Sequence, residues 1–130
     1  MSSIFSAMRS AASGMFAERI RMDVTSANIA NAQSVKIGDQ DPYRRRVVVL
    51  EGDEEGVRVQ AVQEDQSELR AVSEPGNPLA DAQGFVYYSN VDPLMEMVNM
   101  ISATRAYEAN VAAFNSAKGM ARAALNIGKV

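Results

Sequence analysis

The chain contains no cysteine and no histidine. Without thiols there is no disulfide framework, and the chain suits reducing and oxidising compartments alike. Without histidine it lacks the commonest general base and the commonest metal ligand together. A strong charge of one sign is also lacking: 13 basic and 16 acidic residues leave a net charge of −3, which argues against a general nucleic-acid binder. No apolar run approaches the roughly 18 residues of a membrane span, so an integral membrane protein is not expected. A cleaved signal peptide is not expected either. The opening MSSIFSAMRSAASG has no basic n-region, and Arg9 and several serines interrupt its apolar stretch. By signals alone the chain reads as cytoplasmic, unless export uses an uncleaved terminal segment.

What is present is segregated. With 130 residues, 47 % of them hydrophobic, the chain is long enough for one ordinary domain. Residues 35–90 carry six basic and eleven acidic side chains, a net −5, while 1–34 and 91–130 are each +1. The ends are therefore nearly neutral, and the centre is an acidic, solvated block.

Both ends have helical periodicity. Alternating steps of three and four from Met1 give Ile4, Met8, Ala11, Met15, Glu18, Met22, Thr25, Ile29 and Ala32. Similar steps from Met97 give Met100, Thr104, Tyr107, Val111, Phe114, Lys118, Ala121, Leu125 and Gly128. Asp92-Pro93 is a sound helix start, and Gly128 suits the far end. Helices of about 30 and 35 residues, roughly 45 and 50 Å long, are too long for a compact domain of this size. The middle reads as short strands: Pro42 to Leu50, ending at a turn-like EGDEEG; Val57 to Val62, with Val57, Val59 and Ala61 on one face; and Gly84 to Tyr88. Pro75-Gly76 suits a type II turn, and Pro78 pushes Asn77 extended. The expected architecture is mainly α with a β insert. An N-terminal helix (1–34) pairs with a C-terminal helix (91–130) in a coiled-coil-like manner, with a small β-rich unit (35–90) between them in sequence.

Such ends need neighbours. Apolar residues also lie off the seams, among them Phe5, Phe16 and Ile20 in one helix and Val98 and Ile101 in the other. A helix that is apolar on more than one face wants more than one partner. Asn28 and Asn31 lie three apart on one helical face. Facing another subunit they would exchange amide hydrogen bonds and set register, as buried polar residues do in coiled coils. The plainer reading is that they mark a fraying helix end.

The remaining candidates for chemistry are weak. Arg44, Arg45 and Arg46 lack an aromatic ladder for bases, and on a strand Arg45 points away from the other two. Salt links to a neighbouring subunit and a solvated strand edge are the alternatives. Asp39, Asp41 and EGDEEG lack calcium-loop spacing, so a solvated acidic loop is the better reading. Ser116 and Lys118, two apart on a helix, do not face each other. No catalytic residue, cofactor site or metal site is expected, and no enzyme.

Three stretches carry a resemblance: SANIANAQS, PYRRRVVV, and the run EPGNPLADAQGFVYYSNVDPLMEMVNMISATRAYEANVAAFNSAKGMARAALNIGK. Together they resemble the bacterial flagellar basal-body rod family. The SVKIGDQDPYRR that follows the asparagines, where the common rod pattern has Thr-Pro-Gly-Tyr, is similar to the proximal rod type. The resemblance implies a structural subunit that assembles head to tail into a hollow, periplasm-spanning shaft, with the terminal helices as its inner layer, a tube, and the small β-rich unit outside. It implies passage through the flagellar type III export apparatus without a cleaved signal. The implied partners are copies of itself, other rod proteins and the hook–basal-body adaptor at the export gate. It implies subunit contacts at Arg105, Tyr107, Glu108 and Asn110; without it, Tyr107 is ordinary seam and Arg105–Glu108 an exposed helix pair. The expected interface set is Asn28, Ile29, Asn31, Met97, Ile101, Arg105, Tyr107, Asn110, Val111 and Phe114. The alternative function is a small helical adaptor binding one partner through its terminal helices.

Overall fold

The computed structural model describes residues 2–129, with α1 at Ser2–Ala30 and α2 at Pro93–Ile127. Four strands lie between them: β1 (Arg46–Asp53), β2 (Gly56–Glu64), β3 (Arg70–Ser73) and β4 (Phe85–Tyr88). The expected mainly α architecture with a β insert is the one observed. Met1, the expected first residue of the N-terminal seam, lies outside the described residues.

The helix ends follow local chemistry. At the start of α2, Asp92 is extended and accepts the Leu94 N–H at 3.1 Å, and Pro93 takes the first position, where no amide is needed. Gly128 caps the far end in a right-handed conformation, donating to the Ala124 carbonyl at 3.2 Å. α1 stops at Ala30, earlier than the expected residue 34. There the Asn31 side chain folds back, its Nδ2 donating to the Ala27 carbonyl at 2.8 Å, so Asn31 is a helix-end residue.

The helices pack antiparallel through small residues. On α1 the buried positions include Ala11, Gly14, Ala17, Glu18, Thr25 and Asn28; on α2 they are Glu96, Ala103, Ala117 and Ala121. The α1 seam keeps Ala11, Glu18 and Thr25 as expected. The α2 seam is displaced: Met97, Lys118 and Leu125 are exposed, and half of the stripe moves one residue back, onto Glu96, Ala103, Asn110 and Ala117. The physical reason is distance. Close approach selects for small side chains, so the bulky ones are turned outward.

Gly14 marks the tightest approach. A Cβ there would sit 2.6–2.7 Å from the Asn110 carboxamide. Helix propensity alone would favour Gly14→Ala by about 1 kcal/mol. The atoms the new Cβ meets are the far end of the flexible Asn110 side chain, which can swing aside at the loss of its 3.0 Å hydrogen bond to the Ala106 carbonyl, about 1 kcal/mol. The two effects offset, so Gly14→Ala is expected to leave the urea midpoint within the equivalent of about 1 kcal/mol of the parent. With the obstacle removed, Gly14→Ala/Asn110→Ala is expected to be more stable than the single variant by about 1 kcal/mol, and equal midpoints for the two would show that the helices do not pack this closely.

β1 and β2 form an antiparallel hairpin, with one extra residue, Gln60, between the Val49–Ala61 and Leu50–Val59 pairs. The hairpin lies along α1, and the Ser13 hydroxyl accepts the Val57 N–H at 3.1 Å near its tip. EGDEEG is that tip: Asp53 Oδ1 accepts the Glu55 and Gly56 amides at 2.8 and 3.1 Å.

β3 and β4 form the second hairpin. The other edge of β4 meets the chain that leaves α1, through Lys36 N to Tyr87 O at 2.8 Å and Ser89 N to Ser34 O at 2.9 Å. Val86, Ser89 and Val91 are almost completely buried at this junction, and Ala32 is 2 % exposed. The Glu74–Asn77 turn closes with a 3.0 Å hydrogen bond, but Gly76 does not take a positive φ. The turn is therefore of the type I kind and not the expected type II, which requires φ > 0 at that glycine. The loop holds itself by side chains: Asp81 Oδ1 accepts the Phe85 amide at 2.9 Å, and Tyr88 donates to the Glu74 carboxylate at 3.1 Å.

Candidate functional site

Where α1, α2 and β1 meet, a polar lock joins them. Asn28 is 1 % exposed. Its Nδ2 donates to the Arg46 carbonyl at 2.9 Å and to Glu96 Oε2 at 3.2 Å. Its Oδ1 accepts from the Tyr43 hydroxyl at 2.7 Å and from the Arg46 amide at 2.9 Å. Four partners exhaust a carboxamide. Asn28 therefore has nothing left for a neighbouring subunit, and the expected intersubunit amide exchange is corrected at this residue: the bonds are made inside the chain. The Arg46 backbone presents both a donor and an acceptor, which fixes the orientation of the amide.

Glu96, 1 % exposed, uses both oxygens. One accepts from Asn28 and the other from Arg45 Nε. Arg45 also reaches Asp65 at 3.3 Å, and its amide donates to Asn90 Oδ1 at 2.7 Å. Asn90 in turn donates to the Asp65 carbonyl at 3.0 Å. On the sequence alone Arg45 points opposite to its two neighbours, with neither side marked as inward; its acidic partners, Asp65 and Glu96, belong to its own chain and not to a neighbour. Arg44 and Arg46 stay outside, with Arg44 donating to the Ser67 carbonyl at 2.9 Å and Arg46 lying over the Tyr43 ring.

The electrostatics follow from these contacts. The hydrogen bond to Glu96 raises the Arg45 pKa, so its charge is permanent. Burial pushes the Tyr43 hydroxyl above its ordinary value, which keeps it neutral and donating. The Ser67 amide is the chief cause of the lowered Asp65 pKa, with Arg45 adding to it. The lock is a structural device. Every member is satisfied, which is what a buried polar network requires.

The outward faces are different. Leu94, Met97, Val98 and Ile101 are between 51 and 70 % exposed on α2, and Phe16 is 65 % exposed on α1. Of the expected interface set, Met97, Ile101, Arg105 and Asn31 are exposed. Ile29, Tyr107, Val111 and Phe114 are half-buried, and Asn110 is turned against Gly14. The set therefore divides between an inner seam and an open face. Glu96, Arg45 and Tyr43 were missed as a group. Their signal in the sequence was an acidic residue on an otherwise apolar helix start, with an inward arginine far upstream. No described helix is long and apolar enough to cross a membrane.

The ends that form the helix pair are also where related proteins match. Residues 8–35 match the model described as flagella basal body rod protein, and residues 82–127 match that of the flagellar basal body rod FlgEFG protein C-terminal region. The flagellar basal-body rod protein FlgC of Bacillus subtilis is 41 % identical, over 96 % of this chain and 98 % of its own length. That of Salmonella typhimurium is 43 % identical over 92 % of this chain and 93 % of its own. That of Borreliella burgdorferi is 37 % identical over 95 % and 97 %. With likeness of this extent over nearly the full length of each relative, the chain belongs to the FlgC family of flagellar basal-body rod proteins.

Proposed function

We propose that the chain is a structural subunit of the proximal part of the flagellar rod. It assembles helically into a hollow shaft that transmits torque and passes exported proteins, and it reaches the periplasm through the flagellar export apparatus without a cleaved signal. Its partners in this reading are copies of itself, other rod proteins and the hook–basal-body adaptor at the export gate. Met97, Ile101 and Arg105 serve as interface residues on the open face of α2.

One observation carries the reading: a long antiparallel helix pair, locked at one end, leaves apolar side chains uncovered on the outward faces of both helices. Single exposed apolar residues are ordinary, whereas contiguous helical stripes of them are found at association surfaces. A shaft built from such pairs resists bending because bending would distort close-packed helix contacts.

Hydrogen exchange on the purified chain tests this. In a monodisperse monomer the amides of α1 and α2 far from the lock, toward Ser2 and Ile127, should exchange freely. They should become protected in isolated basal bodies. Full protection of both helices in the free monomer would refute the requirement for neighbours, and absence of the chain from basal bodies would refute the rod assignment.

A further inference from the structure

α1 and α2 each turn a face away from the other, and these two faces match in size and charge. On α1 the stripe includes Phe5, Phe16, Arg19 and Asp23, with Phe5 48 % and Phe16 65 % exposed. On α2 it includes Arg105, Glu108, Ala112 and Gly119, all exposed, and a Cβ added at Gly119 would meet nothing within 4 Å. The α1 face thus carries aromatic knobs, while the α2 stripe is bulky at Leu94, Val98 and Ile101 and small at Ala112 and Gly119. Arg19, Asp23, Arg105 and Glu108 take no part in any salt bridge among the described residues.

Laid antiparallel with Arg19 opposite Glu108, the faces agree along their length. Asp23 falls opposite Arg105, Phe16 over Ala112, Arg9 over Gly119, and Phe5 level with Arg122. Laid parallel, Arg19 opposite Glu108 leaves Asp23 facing Ala112 and Arg105 facing Phe16, so one ion pair is lost. We propose that these faces form the lateral contact between successive copies of this chain, α1 of one copy against α2 of the next, in the antiparallel register.

A second copy is the occupant that the geometry favours. Copies related by rotation and translation about a shaft axis keep one orientation, so α1 of one copy and α2 of the next run antiparallel, as they do within the chain. Within the chain, Asn28 lies opposite Glu96 and Met22 opposite Thr104. The proposed register differs from that by about three residues, an axial step of roughly 4–5 Å, less than one helical turn. The contact is heterologous. It leaves α2 of the first copy and α1 of the second open, so the series continues and does not close at two. The inference rests on the rod reading for the screw relation between copies.

The absence of cysteine makes placed thiols unique. In basal bodies isolated from cells expressing a Phe16→Cys/Ala112→Cys chain, a short bismaleimide should give covalent dimers and higher oligomers. A Phe16→Cys/Val98→Cys chain should give none, because Val98 lies fourteen residues away, roughly 21 Å along the helix. Arg19→Glu should reduce the cross-linking yield at 16–112 at least tenfold, and adding Glu108→Arg should restore it. Equal yields from both thiol pairs would overturn the proposal. So would efficient linking of Ile101→Cys to Ala112→Cys, which would place α2 against α2 in a closed dimer, or capture of a different rod protein at Phe16→Cys. If the thiol variants enter basal bodies and restore motility yet never link at 16–112, the lateral contact is refuted and the rod reading stands. If the unmodified chain is missing from basal bodies, the rod reading itself fails.

Discussion

Glu96→Ala should lower the thermal midpoint of the free chain by roughly 10 °C. Removing one partner of a buried ion pair costs about 3–5 kcal/mol, because the other partner is left uncompensated. Here the orphaned Arg45 is 28 % exposed and keeps its contact with Asp65, which argues for the lower end of that range. Asn28 also loses an acceptor while remaining buried. For a chain of this length about 3 kcal/mol corresponds to a shift on the order of 10 °C. Glu96→Gln separates shape from charge. Both Glu96 oxygens accept hydrogen bonds, and glutamine supplies only one acceptor. Its amide nitrogen must then face either Arg45 or the Nδ2 of Asn28, which the Arg46 backbone holds in place. The glutamine variant should therefore fall between the parent and the alanine variant, losing about 1–2 kcal/mol. Scanning calorimetry of the three chains checks the order. A Glu96→Ala chain that melts with the parent would mean that the lock contributes nothing to holding α1, α2 and β1 together.

The two helices could be read in the sequence because their signals are local. Asp92-Pro93 starts α2 wherever the rest of the chain goes, and the three-and-four periodicity extends through both ends. β1, β2 and β4 were legible from their β-branched and aromatic content. β3 was not: Arg70–Ser73 has one β-branched residue, and it is a strand only because β4 offers an edge to pair with. Half of the α2 seam was misread by one position for a physical reason, while Ala121 is buried where it was expected. Bulk was taken as the mark of the core, but these helices approach closely, so Ala103 and Ala117 are inside while Met97 and Leu125 are outside. Gly14, an isolated glycine inside a helical pattern, was the legible sign of that approach. The lock was out of reach because it joins residues 68 and 51 positions apart, and nothing local in SANIANAQ or PYRRR names Glu96 as the shared partner. Asn28 ties three elements together, and Asn31 ends the helix.

The tip of the first hairpin supplies the other large effect. Gly56 has φ +144°, and a Cβ there would lie 2.3 Å from the Ser13 hydroxyl oxygen and 3.4 Å from the Ser10 Cα. Gly56→Ala therefore meets two separate obstacles. The backbone conformation is one that residues with a Cβ rarely adopt, at a cost of about 1–3 kcal/mol. The clash adds to this, because the hydroxyl oxygen it strikes is the one that accepts the Val57 amide and donates to the Ser10 carbonyl. Together they should cost about 3 kcal/mol, relieved by lifting the hairpin off α1. Amides across 46–64 should then exchange at least tenfold faster, while those near Asn28 and Glu96 keep most of their protection. Ser13→Ala in the same chain removes the clash but not the backbone strain, so it should recover only part of the loss. Exchange measured by mass spectrometry on the three chains distinguishes these contributions. If Gly56→Ala leaves the exchange of 46–64 unchanged, the hairpin does not rest on α1 in solution. The acidic tip would then stand free, with the backbone conformation at Gly56 unconnected to docking.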